Sequence, residues 1–129
     1  KFLINCSGLY SISIANEILG YTKYKARMLK GDYYSYLGKE RLQHLIYPVP
    51  KSNSLGVHAT IDLGFGIRFG PSAYEVDEIK YDVNEDQKEE FYKSIKVYWP
   101  SMKFEDIEPG YSGIRPLVED ENDFIAERY

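Results

Sequence analysis

The segment Gly56-Val57-His58-Ala59-Thr60-Ile61-Asp62-Leu63-Gly64-Phe65-Gly66-Ile67-Arg68-Phe69 decides the fold of this 129-residue chain. Apolar and polar residues alternate from Val57 to Leu63, which is the period of a strand with one buried face. Two glycines around Phe65 then supply turn residues, and a second apolar run starts at Ile67. The segment therefore predicts an antiparallel β-hairpin. Its glycines do not have the spacing of a dinucleotide-binding loop, and a strand follows them where such a loop requires a helix.

Helical and strand patterns flank this hairpin on both sides. Apolar residues at helical spacing predict one helix that ends at Gly20, and a capping signal at Asn84 begins a second helix that Pro100 stops. A further helical turn is expected at residues 104–107. Five more strands are expected, at residues 2–6, 26–36 (with a bulge or turn at Gly31-Asp32), 45–49, 111–118 and 124–127. The sum is an α+β fold, a mostly antiparallel sheet with helices on one face.

Composition narrows the class of protein. Hydrophobic residues make up 43% and charged residues 28%, so the chain can bury a core. The net charge is −4, which offers no basic patch for nucleic acid. No apolar run reaches the ~18 residues of a membrane helix, so no transmembrane segment is expected. The single cysteine, Cys6, excludes an internal disulfide and fits a reducing compartment, which predicts a cytoplasmic location. No Cys and His cluster has metal-ligand spacing, so no metal site is expected.

Two residues are candidates for chemistry. Arg115 stands between Gly113 and Pro116 in what reads as a buried, tightly turned stretch, and its planar guanidinium suits a carboxylate in bidentate geometry. A structural ion pair with an Asp or Glu is the alternative. His58 lies on the polar face of its strand, where it is either a hydrogen-bonded surface residue or a general base. The residues alone leave both choices open.

Six stretches occur in this chain in one order. They are Lys30-Gly31-Asp32-Tyr33-Tyr34, Leu45-Ile46-Tyr47-Pro48-Val49-Pro50, Leu55-Gly56-Val57-His58-Ala59-Thr60, Ile61-Asp62-Leu63-Gly64, Arg68-Phe69-Gly70-Pro71 and Tyr111-Ser112-Gly113-Ile114-Arg115-Pro116. Together they resemble FAD-dependent oxidoreductases of the D-amino-acid oxidase and glycine oxidase superfamily, in particular the branch that oxidises L-2-hydroxyglutarate. The opening segment Ile4-Asn5-Cys6-Ser7-Gly8-Leu9-Tyr10 is also similar to that family, so the resemblance covers nearly the whole chain.

The resemblance implies roles for two residues, and the reaction that it implies adds two further candidates. Arg115 matches the arginine that holds the substrate carboxylate, and Gly8 matches a position whose backbone lies near the flavin of FAD. Oxidation of a hydroxy acid also requires a base for the hydroxyl proton, for which His58 is the candidate, with Tyr47 as a substrate-binding neighbour. An amino-acid substrate would not need that base, so an amino-acid oxidase of the same superfamily is an alternative.

The resemblance also implies how the chain is divided. Residues 1–24 are expected to form an edge of the FAD-binding domain, residues 25–118 the substrate-binding domain, and residues 119–129 a strand that returns to the FAD domain. The family's Gly-x-Gly-x-x-Gly segment does not occur here, so both ends are expected to be cut from something longer and the chain alone to bind FAD poorly. The expected function is part of an oxidoreductase for a small 2-hydroxy acid. The alternative is an inactive fragment of a split or decayed gene, with a possible companion polypeptide that carries the Rossmann segment.

Overall fold

A computed structural model describes residues 3–20, 22–49 and 56–118. The predicted α+β class is confirmed, because these residues form an open antiparallel sheet of five strands with two helices. Hydrogen bonds join the strands in the order β2-β3-β1-β4, and β5 also pairs with β1. The elements are α1 (Ser11–Leu19), β1 (Ala26–Tyr36), β2 (His58–Ile61), β3 (Ile67–Gly70), β4 (Tyr74–Glu75), α2 (Lys88–Lys96) and β5 (Ile107–Val118), with 3-10 turns at Gly8–Tyr10, Glu85–Gln87 and Phe104–Asp106.

The described residues divide into two compact units. The α1 unit contains residues 3–20, 22–30, 74–79 and 114–118, and the hairpin unit contains residues 31–49, 56–73 and 80–113. Strands β1 and β5 contribute residues to both units. Each unit is described separately below.

The predicted hairpin forms in the hairpin unit, with shorter strands than the sequence pattern suggested. Strands β2 and β3 pair from His58↔Gly70 to Ile61↔Ile67. The Asp62 side chain closes the turn, since its Oδ1 accepts hydrogen bonds from the backbone N–H groups of Gly64 (2.8 Å) and Gly66 (2.9 Å). An Asp that bonds its own backbone a few residues on is a regular turn device, so the local sequence explains this turn.

Helix α2 covers one face of the hairpin unit's sheet. Its buried residues Phe91 and Ile95 are four apart and so share one helical face, as the sequence predicted. The Phe91 ring lies 4.5 Å from the ring of Tyr34 on β1. The Tyr34 hydroxyl donates to the Asn84 carbonyl at 2.9 Å, and burial raises the pKa of Tyr34 to about 12. The buried core contains Tyr34, Ala59, Ile67, Phe69, Phe91, Ile95, Met102 and Ile107.

The α1 unit buries far less. Helix α1 ends at Gly20 in the left-handed conformation, as predicted. The Asn16 side chain ties the following chain to the helix, because its Oδ1 accepts from the backbone N–H groups of Lys23 and Tyr24, both at 3.0 Å. Within the described part of this unit, the buried hydrophobic residues are Ile12 and Tyr24. None of the described helices is long and apolar enough to cross a membrane.

Several local expectations were wrong. Residues 3–6 form no strand; Leu3 is 73% and Ile4 85% exposed, and Cys6 is exposed too. Residues 45–49 make a single bridge and no strand, because prolines at 48 and 50 cannot donate to a ladder. Strand β1 runs through Gly31-Asp32 without a turn, while the expected turn at Phe104–Asp106 is present. The strand expected at residues 124–127 lies outside the described residues.

Candidate functional site

The sheet of the hairpin unit has two unlike faces. Alternate residues of a strand point to opposite faces, and Tyr34, Ala59 and Phe69 face the core under α2. Their sequence neighbours therefore lie on the opposite face, which carries imidazole, hydroxyl, guanidinium and aromatic groups. We call this surface the polar face; it is formed by Tyr33, Ser35, His58, Thr60, Arg68 and Gly70.

The structure brings the two candidates Tyr47 and His58 together. The backbone groups of Ile46 and Ala59 exchange two hydrogen bonds of 2.9 Å. In an antiparallel pair the next residues along are then opposite each other, which places Tyr47 beside His58. Their ring centroids are 4.6 Å apart with an interplanar angle of 74°. His58 is half-buried and Tyr47 is 60% exposed, so the pair is accessible to a ligand.

Tyr33 extends this row across the sheet. His58 pairs with Gly70 on β3, and the neighbouring Tyr34↔Phe69 pair brings Tyr33 next to Gly70. A Cβ atom at position 70 would lie 2.7 Å from the Tyr33 ring and 2.8 Å from the Asp32 carbonyl oxygen. Only glycine therefore lets the tyrosine ring lie at this point of the row. The sequence analysis missed Tyr33, although its stretch and the Arg68-Phe69-Gly70-Pro71 stretch both belong to the family resemblance.

An aromatic and cationic stack continues from Tyr33. The rings of Tyr33 and Tyr111 are parallel within 5°, with centroids 4.5 Å apart. Burial and the neighbouring Tyr111 raise the pKa of Tyr33, so the Tyr33 hydroxyl is a neutral donor at neutral pH. The Arg68 guanidinium lies 5.1 Å from the Tyr111 ring centre, and its Nη2 is 2.9 Å from Asp62 Oδ2. Backbone N–H groups of Gly66 and Gly64 lower the pKa of Asp62, as does Arg68.

The other two candidates belong to the α1 unit. Arg115 is exposed and lies within strand β5, so the buried and tightly turned setting expected for it was wrong. Gly113, expected to form a turn, is also within the strand. Gly8 is exposed in a 3-10 turn, and a Cβ atom there would meet nothing within 4 Å. The backbone at Gly8 is thus open to a close ligand. A shared site of Arg115 with His58 stays a prediction.

An open groove elsewhere in the hairpin unit has a volume of about 350 Å³. Charges of both signs line it, from Lys39, Glu40 and Arg41, next to the hairpin turn at Phe65. It includes none of the polar-face residues that carry chemistry. Within residues 3–20, 22–49 and 56–118, no group of three or more His, Cys, Asp and Glu side chains could hold a metal ion. We therefore place the candidate site on the polar face.

The fold and the polar face define a class first: an α+β domain in which a helix packs on one sheet face and half-buried polar side chains line the other. Residues 1–129 match the profile of the FAD dependent oxidoreductase family, so the chain belongs to that family. The predicted recognition is confirmed.

Two curated relatives carry the same name. The chain is 32% identical over 133 aligned positions to a protein of Arabidopsis thaliana named "L-2-hydroxyglutarate dehydrogenase, mitochondrial", covering 92% of this chain and 28% of the relative. It is 42% identical over 82 positions to the L-2-hydroxyglutarate dehydrogenase of Indibacter alkaliphilus, covering 57% of this chain and 20% of that relative. The chain therefore spans about a quarter of the length of these relatives.

Proposed function

We propose that this chain is the substrate-binding part of an FAD-dependent oxidoreductase that oxidises a small 2-hydroxy acid of the 2-hydroxyglutarate kind. The observation that carries the proposal is the contact of Tyr47 with His58 on the open face of the sheet, 4.6 Å between ring centres. Family membership and the names of the two relatives support it. In this proposal residues 1–24 belong to an FAD domain and residues 25–118 bind substrate; the predicted return strand at 119–129 lies outside the described residues.

His58 is the proposed base. A ring nitrogen of its imidazole accepts the proton of the substrate's 2-hydroxyl group, and the Tyr47 ring packs against the imidazole at an interplanar angle of 74°. When bound, FAD would supply the acceptor for the hydride from C2, so that the loss of this proton and of the hydride would leave a 2-oxo acid. Arg115 binds the C1 carboxylate with its planar fork, which orients C2 before reaction.

One described residue, Gly8, fits contact with the flavin of FAD. Gly8 offers an accessible backbone without a side chain, and the flavin is proposed to lie close to it. The pyrophosphate-binding glycine motif does not occur among the 129 residues, so a further segment must hold the rest of the cofactor. That segment is supplied by the same polypeptide or by a companion polypeptide. We propose that these 129 residues alone bind FAD poorly and are inactive.

The location of the protein remains a proposal. The single cysteine favours a cytoplasmic location for the protein, whereas the name of the Arabidopsis relative includes the word mitochondrial. A small carboxylate is the proposed partner in both cases. No nucleic acid is proposed, since the net charge is −4.

The test compares hydroxy-acid and amino-acid oxidation in an FAD-loaded polypeptide that contains these residues. His58→Ala is expected to lower kcat/KM for 2-hydroxyglutarate by about 10²- to 10⁴-fold, because the base is lost. Turnover of glutamate is expected to fall far less, since a neutral amine has no hydroxyl proton to lose. His44→Ala removes an exposed imidazole from the same unit and is the matched control. An equal loss on both substrates would contradict the role of His58.

The inactive-fragment alternative has a simple test as well. A purified chain that is colourless, and becomes yellow only when a companion polypeptide is added, indicates a split enzyme. A chain that stays colourless with every flanking segment restored indicates a remnant without catalysis. Visible flavin absorbance distinguishes the two outcomes.

A further inference from the structure

We propose that Arg68 binds the distal carboxylate of a dicarboxylic substrate and so sets the preference for a 2-hydroxy diacid. This assignment rests on the proposed function. A 2-hydroxyglutarate-like substrate carries two carboxylates, and Arg115 is proposed for only the one next to the reacting carbon. The second carboxylate of such a substrate requires another cationic side chain, at some distance from His58 along the polar face.

Arg68 has the required position. The pairs His58↔Gly70 and Thr60↔Arg68 are neighbouring cross-strand pairs on one face, two residues apart along β3. Two residues of a strand span about 7 Å, which is comparable to the length of an extended five-carbon diacid. On the other side of Arg68, β1 presents Ser35, since Ser35 pairs with Arg68. Thr60 and Ser35 thus lie on either side of Arg68 in the sheet. The Thr60 hydroxyl donates to the Arg68 carbonyl oxygen at 3.4 Å, so the Ser35 hydroxyl is the one proposed as a further donor to a carboxylate.

The Arg68 side chain is held in place and is still accessible. Asp62 Oδ2 contacts its Nη2 at 2.9 Å, and the Tyr111 ring lies 5.1 Å below the guanidinium carbon. Its side chain nevertheless keeps 41% of its surface exposed. A guanidinium has five N–H donors, so contact with one carboxylate oxygen leaves capacity for a second carboxylate. Because these two contacts already restrain the side chain, less conformational entropy is lost when a ligand binds.

Asp62 does not cancel the attraction of Arg68 for a ligand. The other oxygen of its carboxylate, Oδ1, accepts two backbone N–H groups of the turn, so part of its charge is already compensated by the turn. The stacked Tyr33 and Tyr111 rings form an apolar floor beside the cation. A carboxylate that binds there is partly shielded from water, which strengthens a charge-assisted hydrogen bond.

The experiment measures a substrate ratio in the FAD-loaded polypeptide that contains these residues. The two substrates are 2-hydroxyglutarate and 2-hydroxypentanoate, which has the same carbon chain with a methyl group in place of the distal carboxylate. Arg68→Gln is expected to lower the ratio of their kcat/KM values about tenfold to a hundredfold. Arg68→Lys is expected to retain part of the ratio. Arg41→Gln removes the same charge from an exposed position and is expected to leave the ratio unchanged.

A binding measurement separates recognition from catalysis. Glutarate is expected to raise the melting temperature of the FAD-loaded protein more than pentanoate does, and Arg68→Gln is expected to abolish that difference. Asp62→Asn removes the ion pair but keeps the cation. If Asp62→Asn and Arg68→Gln depress both substrates equally, Arg68 is only a brace for the hairpin and the assignment is overturned.

The remaining outcomes are also decisive. A wild-type protein that oxidises 2-hydroxyglutarate, together with an unchanged ratio in Arg68→Gln, overturns the assignment of Arg68 alone. A wild-type protein that carries FAD and oxidises neither 2-hydroxy acid overturns the proposed function, and the assignment of Arg68 with it.

Discussion

Apolar side chains of a helix are fully buried in the hairpin unit, whereas several of those in the α1 unit stay exposed. Each contains a nine-residue helix with apolar positions on one side. In the hairpin unit, Phe91 is 2% and Ile95 0% exposed, because the sheet supplies a surface for them. In helix α1, Ile12 is buried, but Ile14 is 36% exposed and Ile18 38% exposed. The difference shows that an apolar helix face alone does not make a core; a second layer must cover it.

This contrast separates stability from function. The hairpin unit contains most of the buried area, which holds its strands in register and so fixes His58, Tyr33 and Arg68 on the polar face. The α1 unit contains Gly8 and Arg115 at exposed positions. Mutations at the buried positions of the hairpin unit are therefore expected to change folding, whereas mutations at the exposed positions of the α1 unit are expected to change activity first.

The largest expected difference between the two units comes from replacing one isoleucine in each helix by alanine. Ile95→Ala is expected to lower the free energy of unfolding by about 2–5 kcal/mol, because it leaves a cavity in a packed core. Ile14→Ala is expected to cost less than about 1 kcal/mol, since this side chain keeps much of its exposure. Urea denaturation followed by far-ultraviolet circular dichroism measures both.

Trp99, the single tryptophan, belongs to the hairpin unit and supplies the control. Its fluorescence transition is expected to move with Ile95→Ala and to stay in place with Ile14→Ala. Equal shifts for both variants would show that the two helices contribute alike and would contradict the comparison.

A smaller effect is expected from a pair of glycines. Gly70→Ala places a Cβ atom 2.7 Å from the Tyr33 ring in a backbone conformation that favours glycine, and is expected to cost about 1–3 kcal/mol. Gly113→Ala meets nothing within 4 Å and is expected to be neutral or to stabilise by up to about 1 kcal/mol. Thermal unfolding of the two variants compares them. A harmless Gly70→Ala would show that Tyr33 does not depend on that glycine.

The smallest expected effect concerns the hydroxyl of Tyr34. Tyr34→Phe removes a buried hydrogen bond to the Asn84 carbonyl and is expected to cost about 1 kcal/mol at pH 7. The folded-state pKa of about 12 lies above the ordinary tyrosine value of 10.0, so the folded protein retains this proton to a higher pH than the unfolded chain does. Wild-type stability from this group is full below pH 10 and is lost as the pH rises through about 12.

The Tyr34→Phe variant is therefore expected to lose less stability than the wild type between those two pH values. Urea denaturation at a series of alkaline pH values measures this difference. Tyr81→Phe, at a 56% exposed position of the same unit, is the control and is expected to stay within about 0.5 kcal/mol. Parallel pH curves for wild type and Tyr34→Phe would be inconsistent with the raised pKa.

Local patterns predicted the elements that have local causes. The hairpin turn follows from Asp62 and its glycines, and α2 follows from apolar spacing after Asn84. The sequence pattern failed where an element needs a distant partner. Residues 45–49 have strand-like composition, yet only Ile46 is bridged, because prolines remove N–H donors. Residues 3–6 are apolar except for Asn5, but they have no strand beside them in the described part of the chain.

The candidate site divides in the same way. His58 and Tyr47 could be proposed from residue type and family resemblance. The structure places their two rings in contact, with 4.6 Å between the centroids. Arg115 was expected in a buried turn and lies exposed in a strand. Tyr33, Tyr111 and Arg68 were missed, because their meeting depends on which strands are neighbours and in which register. No sequence window contains that information.

The sequence by itself determined the class of fold, the hairpin turn, the helix ends and the family, because these depend on periodicity, turn chemistry and ordered motifs. Only the tertiary structure decided which face of the sheet stays open and which side chains share it. The reason is that strand alternation gives each residue a side, while the covering helix and the cross-strand register determine which side is buried. The row from His58 through Gly70 to Tyr33 exists only after β1, β2 and β3 have paired.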